Sequence, residues 1–279
     1  MRDLTSQEGR ELRIIFCRNY EEMSQRAAEI IISAIKAKPN LVLGLATGRT
    51  PLGLYRHLVE ATRRGEVDWS QVTTFNLDEY YPLSPDHPAS FRRFMERHLF
   101  EHINIPRAQT HLPNGLAPDP AAEGERYERA IAGVGGIDLQ LLGIGKNGHI
   151  GFNEPGTPLG SLTGLIRLHP ESIAASRADF GPGEKPPEYA ISVGIRTIML
   201  AKRILLLASG ADKAEILARA LQGPVTSAVP ASVLQLHPDL TVIVDEAAGQ
   251  EILRQGGTVW EEVVATKDAE TDLKTPSGP

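Results

Sequence analysis

The chain has 279 residues, 41% of them hydrophobic and 23% charged, with a formal net charge of −6 and a single cysteine. That is ample apolar material for one α/β domain with its own core. The negative balance and the absence of a Lys/Arg block argue against nucleic-acid binding; one cysteine excludes a disulfide framework, and no apolar run approaches a membrane-spanning length. Met1–Glu11 is polar and charged, without the apolar stretch of a secretory leader, so a cytoplasmic setting is expected.

Leu12–Cys17 reads as a first strand, with Cys17 a buried structural thiol. Tyr20–Lys38 places Met23, Ala27, Ile30, Ile31, Ala34 and Ile35 at the spacing of a helix packed on one face. Leu41–Ala46 is a continuous apolar run, as in a strand covered on both sides. It runs into Thr47-Gly48-Arg49-Thr50-Pro51, and Leu52–Arg64 follows as a helix with Pro51 in its first turn. A buried strand, a Thr/Gly loop and a helix N-terminus together form an anion site, because free N–H groups and the helix dipole both face the ligand. The plain alternative is a β–α turn with a capping threonine, which leaves the rest of the Thr-Gly-Arg-Thr set unexplained.

Val72–Leu77 is the next strand and ends in Asp78-Glu79, two acids at the position where open α/β sheets place their ligands. Neighbours on extended backbone point to opposite faces, so one acid can enter a cleft while the other turns away. Ala89–His102 has helical spacing, with Phe91, Phe94, Leu99 and Ile103 directed at the core. His87, His98, His102 and His111 show no metal-ligand spacing, and no metal is expected. Asp119–Ala132 is a further helix. Leu139–Leu142 then reads as a buried strand that breaks into Gly143, Gly145, Gly148 and Gly151, with Asn147, His149 and Glu154 set in that glycine frame. An imidazole and a carboxylate on one loop point to general acid–base chemistry, although such a glycine pattern alone serves equally well as a solvated turn.

Residues 156–187 lose regular pattern and carry Arg167, Arg177 and Lys185; a loop-rich excursion of this length reads as a lid. Ala190–Val193 and Ile204–Ala208 are strands, and the latter ends in Ser209-Gly210-Ala211-Asp212-Lys213 before the helix Ala214–Leu221. A lysine at a helix N-terminus opposes the dipole unless an anion is held there, which makes Lys213 a second phosphate clamp. Leu240–Val244, Asp245-Glu246 and a helix to about Leu253 close the pattern; residues 1–266 form one domain and 267–279 a disordered tail.

The alternation predicts a single-domain α/β fold: a Rossmann-like, doubly wound, mostly parallel sheet with helices on both faces and a loop-rich lid. The four informative loops all follow strands and therefore gather along one edge of the sheet. A phosphate cradle, a second cation, an acid and a His–Glu pair match a small phosphorylated substrate undergoing proton transfers. No pattern with an acidic residue about 20 positions beyond a Gly-x-Gly-x-x-Gly loop suggests a dinucleotide.

Phe75-Asn-Leu-Asp-Glu-Tyr80, the run Gly143 to Gly156 with His-Ile-Gly-Phe-Asn-Glu-Pro inside it, and Leu234-Gln-Leu-His-Pro238 resemble the glucosamine-6-phosphate deaminase family; so do Ala46-Thr-Gly-Arg-Thr-Pro51 and Ser209-Gly-Ala-Asp-Lys-Ala214. The matches stand in family order from about residue 14 to 255. The resemblance implies a cofactor-free aldose–ketose isomerisation with deamination, glucosamine 6-phosphate and water giving fructose 6-phosphate and ammonium. It implies Asp78 as the base that moves the C2 proton to C1, His149 as the ring-opening acid–base group, and Glu154 as its acidic partner. It sets Thr47, Gly48, Arg49, Thr50, Arg177 and Lys213 on the phosphate. Asn147 stands where some members carry aspartate, so it supplies a hydrogen bond without charge. Arg49 occupies a position that is often small. Ser161-Leu-Thr-Gly164 departs from a Ser-Arg-Thr-basic pattern, so no activation by N-acetylglucosamine 6-phosphate is expected. The competing readings are a 6-phosphogluconolactonase-type hydrolase, disfavoured by Phe152-Asn-Glu-Pro155, and a non-catalytic sugar-phosphate sensor. The partner expected is a small amino-sugar phosphate, with neither nucleic acid nor membrane; a galactosamine substrate and a homo-oligomer stay open.

Overall fold

The computed structural model describes residues 11–254; the expected tail at 267–279 lies outside them. The strands are β1 (Glu11–Cys17), β2 (Val42–Leu45), β3 (Thr73–Asn76), β4 (Asp78–Tyr81), β5 (Thr110–His111), β6 (Leu139–Gly143), β7 (Gly164–Arg167), β8 (Tyr189–Ser192), β9 (Ile204–Ala208) and β10 (Asp239–Asp245). The α-helices are α1 (Tyr20–Ala37), α2 (Leu52–Arg63), α3 (Phe91–His98), α4 (Pro120–Gly133), α5 (Pro170–Ser176), α6 (Ile195–Met199), α7 (Ala214–Gln222) and α8 (Glu246–Arg254).

Seven strands form one sheet in the order β1-β10-β9-β6-β2-β3-β5, every pair parallel. From β2 the chain proceeds outward through β3 and β5, then returns to the other flank of β2 with β6, β9 and β10. The order therefore reverses between β2 and β6, and the crevice at a parallel sheet's reversal point is where ligands bind. The Thr47–Thr50 and Gly143–Glu154 loops leave the two strands that flank it.

Local sequence explains the elements. In α1, Met23, Ala27, Ile31, Ala34 and Ile35 are buried along one stripe, and Asn19 caps the helix by accepting from the Glu22 N–H at 3.0 Å. In α4, Asp119 accepts from Ala121 and Ala122 while Pro120 occupies the first turn. Tyr127 of α4 is fully buried, edge-on to Phe75, and donates to the Asn76 carbonyl at 2.8 Å, which ties the helix to the end of β3. On the far flank α8 lies against Phe16 and Val244, while the alternating neighbours Ile15 and Cys17 are also buried; the sheet is thus covered on both faces.

Three expectations need correction. The helix expected over Ala89–His102 is shorter: α3 ends at His98, and a 3₁₀ turn follows at Phe100–His102. Of its apolar residues, Leu99 is fully buried, whereas Phe91, Phe94 and Ile103 only pack partly against the core. The 156–187 stretch is not simply loop: it contains β7 and α5. β7 pairs antiparallel with β8, and β8 with β4, in a second sheet of order β4-β8-β7. Four-residue strands at a sheet edge carry too few residues for a period to show, and their partners lie far off in sequence. Leu77 is the joint between the sheets: its N–H donates to Leu45 of β2 (3.1 Å) and its carbonyl accepts from Val193 (2.7 Å).

Candidate active site

The junction after Leu77 places Asp78 as the first residue of β4, opposite Ser192 of β8. Its carboxyl is buried, and burial first, then the charge of Glu79, push it up to about 8. Glu79 turns the other way, as alternation requires. It accepts from the N–H groups of Tyr80 and Phe91 at 2.9 Å and of Arg92 at 3.0 Å, so it caps α3. Burial pushes Glu79 up to about 7 against those three donors, which favour its ionised form. The two adjacent acids thus divide into a structural cap and an acid facing the glycine loop.

That loop is shaped around its histidine. A Cβ on Gly145 would lie 2.2 Å from His149 Cε1, so only glycine leaves room for the imidazole to fold back over residue 145. Gly151 has φ +56°, and a Cβ there would sit 3.3 Å from Ser192 Oγ and 3.5 Å from Asp78 Oδ2. Gly151 therefore brings the loop backbone against the Asp78 carboxyl, and the Phe152 N–H donates to Ser192 Oγ at 3.1 Å.

Within the loop, Asn147 bridges the two titratable groups. Its amide donates to Glu154 Oε2 at 2.8 Å, and its Oδ1 lies 2.8 Å from His149 Nδ1. Nδ1 is itself 3.3 Å from Glu154 Oε2. A carboxylate only accepts, so the Asn147 NH₂ must face Glu154 and its oxygen must face the imidazole. Nδ1 then carries the proton, which leaves Nε2 as the acceptor in neutral His149. Burial raises Glu154, but hydrogen bonds from His149, Ser172 and Asn147 outweigh it and hold the carboxyl down at about 2. Asn147 is thus less a missing charge than the spacer that sets the imidazole's tautomer.

Across the crevice, Arg49 and Thr50 share a cavity of about 540 Å³ with Tyr20, Arg56, His98 and Ser209. Tyr20 positions the loop: its hydroxyl lies 3.2 Å from the Arg49 carbonyl and 3.1 Å from the Thr50 carbonyl, and accepts from the Gly53 N–H at 2.7 Å. Gly48 and Arg49 are exposed and Thr47 half-exposed, available to a ligand. On the β9 side, Asp245 at the end of β10 accepts from the Ser209 hydroxyl and the Gly210 N–H, fixing the turn that carries Lys213. Burial pushes the Lys213 ammonium below its ordinary range, and an anion beside it would favour the charged form. Lys146 of the glycine loop pairs with Asp212 at 3.1 Å and links the two loops. Arg177 sits exposed in the 3₁₀ turn after α5, and among the described residues no hydrogen bond or ion pair joins it to the Thr47–Thr50 loop.

Tyr20, Ser172, Ser192 and Asp245 belong to the site's framework and escape sequence reasoning. Tyr20 looks like an ordinary helix residue, Ser192 the end of a strand, and Asp245 half of an acidic turn. For Ser172 the one signal is His169-Pro170, a cap and first-turn proline that mark a helix start. A second cavity, about 240 Å³ and lined by Arg92, Arg93, Glu96, Glu101 and Arg107, contains none of the candidate residues. Among the described residues no group of three or more His, Cys, Asp or Glu is placed to hold a metal ion.

Known proteins share this fold. The chain is 52% identical over 241 residues to a glucosamine-6-phosphate deaminase of Thermoanaerobacter pseudethanolicus, covering 86% of this chain and 95% of the relative. It is 49% identical over 244 residues to glucosamine-6-phosphate deaminase 2 of Bacillus subtilis, covering 86% and 98%. A solved monomeric glucosamine-6-phosphate deaminase superposes with a TM-score of 0.83 at 44% identity, covering 86% of this chain and 99% of that one. The 6-phosphogluconolactonase of Trypanosoma cruzi superposes at 0.70 but at 22% identity, a likeness of fold alone. The family model for glucosamine-6-phosphate isomerases/6-phosphogluconolactonase matches residues 18–243, and the chain belongs to that family.

Proposed function

We propose that the chain converts glucosamine 6-phosphate and water to fructose 6-phosphate and ammonium, without a cofactor, in amino-sugar catabolism. The observation that carries this reading is the juxtaposition of two proton-handling groups at the sheet's reversal point: the Asn147–His149–Glu154 relay and, against Gly151, the buried Asp78. The relatives named deaminases at 49% and 52% identity support it. The reading places the enzyme in the cytoplasm, where phosphorylated sugars are retained; among the described residues no helix is long and apolar enough to cross a membrane.

In this reading Thr47, Gly48, Arg49, Thr50, Arg177 and Lys213 hold the phosphate, so that binding energy far from the reacting carbons orients them. His149 Nε2 accepts the proton of the anomeric hydroxyl and returns it to the ring oxygen, opening the pyranose. Glu154 steadies the imidazolium formed in between. Asp78 then takes the C2 proton, giving an enolamine, and delivers it to C1. Water adds at C2 and ammonia leaves. A base with a pKa near 8 is largely protonated at neutral pH, but the substrate's C2 ammonium favours the Asp78 carboxylate by direct attraction. The test is ammonium release from glucosamine 6-phosphate alongside lactone hydrolysis by the same preparation: release of ammonium supports the deaminase, and lactone hydrolysis alone overturns it.

A further inference from the structure

Ser172 has no part in the roles above, yet its hydroxyl donates to Glu154 Oε1, while Asn147 and His149 face Oε2. It comes from a different element, α5, which follows the glycine loop and β7 in the chain. Ile173 and Phe180 pack with Tyr80, Leu168, Ala190 and Phe152 in a small second apolar cluster. Tyr80 lies 5.6 Å from Phe180 and 5.8 Å from Phe152, ring centre to ring centre. Ser176, the last residue of α5, is buried and donates to the Ile173 carbonyl at 3.0 Å.

We propose that Ser172 is a positioning residue for ring opening: by holding Glu154 Oε1 from α5, it fixes the carboxylate plane on which Asn147 and His149 depend. The inference rests on the deaminase reading for its kinetic part only. The terminal torsion of a glutamate is broad and nearly two-fold, so a carboxylate gripped through one oxygen can rotate. Rotation would move Oε2 off the Asn147 amide and release the constraint that faces Asn147 Oδ1 to the imidazole. A donor on Oε1 from a second element, α5, removes that freedom. Ser172 gains and loses no proton in the cycle. Its segment also leads into Arg177, so the relay's geometry is tied to the seating of that segment.

The experiment uses the full chain as wild type, Ser172→Ala, Ser172→Thr, Glu154→Gln and the Ser172→Ala/Glu154→Gln double variant. Ammonium release from glucosamine 6-phosphate gives kcat and KM, and carboxyl carbon NMR follows the titration of Glu154. The groups facing Glu154 are His149 and Asn147 from its own loop and Ser172 from α5. Ser172→Ala is expected to lower kcat about tenfold, the effect of one charge-assisted hydrogen bond lost from the transition state, with KM about unchanged. Ser172→Thr restores the rate. In the Glu154→Gln background the same alanine changes kcat by less than about twofold, because the two residues act as one unit. The Glu154 titration rises from about 2 toward the ordinary carboxylate range. A full tenfold loss persisting without Glu154, or a Ser172→Ala protein with wild-type kcat and wild-type titration, overturns the proposal. If wild type releases no ammonium, the deaminase reading fails separately, and the Glu154 titration still decides whether Ser172 holds the carboxylate.

Discussion

Replacing Asp78 by asparagine should destroy turnover and stabilise the fold, a combination that follows from where the acid sits. Asp78 is buried at the joint between the two sheets, and its carboxyl is pushed from an ordinary 3.8 up to about 8. A group whose folded pKa lies above its unfolded value binds a proton more tightly in the folded chain. Folding therefore loses nothing at this site below about pH 4, loses progressively more as pH rises, and levels off above about pH 8. At ~1.36 kcal/mol per unit, the interval from 3.8 to 7 sets a ceiling of about 4 kcal/mol at neutral pH. Asparagine keeps the shape but removes the charge, at the smaller cost of burying an amide. At roughly 2–4 °C per kcal/mol for a chain of this size, the variant should melt several degrees higher at pH 7–8. Its advantage should shrink steadily toward pH 5. Turnover should fall by ~10²–10⁴, the usual contribution of a positioned base. Thermal unfolding of both proteins from pH 5 to 8, with ammonium release measured in parallel, checks every part. An Asp78→Asn protein that melts lower at pH 8, or by a margin independent of pH, would refute the burial argument.

Further expectations follow from single features. His149→Gln should slow the cyclic substrate far more than an open-chain analogue lacking the 5-hydroxyl; equal losses would remove ring opening from its role. Gly145→Ala would put a methyl 2.2 Å from the imidazole. At about 1–3 kcal/mol for such overpacking, activity should drop while circular dichroism stays native; full activity would show that the ring does not need that space. Lys213→Ala should raise KM about tenfold or more with little change in kcat, as for lost uniform binding; an unchanged KM makes it a surface lysine. N-acetylglucosamine 6-phosphate should leave the initial rate unaltered, since Leu162 and Gly164 offer it no cation, and saturable activation would contradict that.

Much of this was legible in the residues. The apolar runs at 41–46, 139–142 and 204–208 became β2, β6 and β9 because central parallel strands are buried on both faces and need no alternation. Their following loops met at one edge as parallel topology requires. Legibility failed where partners were distant. Gly164–Arg167 became β7 only by pairing with Tyr189–Ser192. The choice between Asp78 and Glu79 depended on α3 beginning where it could be capped, 12 residues on at Phe91. Asn147 was legible as a hydrogen-bonding residue without charge, but not that its amide donates to Glu154 while its oxygen faces His149. Ser172 reaches Glu154 across 18 positions and an intervening strand, a contact no local pattern encodes.

The central claim is that two proton-handling groups at the β2–β6 crevice serve an amino-sugar phosphate. The most direct test is ammonium release by the wild-type chain from glucosamine 6-phosphate, run beside Asp78→Asn and beside 6-phosphogluconolactone as alternative substrate. Saturable ammonium release that vanishes in Asp78→Asn, with no lactone hydrolysis above background, is the predicted result. Hydrolysis of the lactone without ammonium release, or ammonium release that survives Asp78→Asn, would contradict the account.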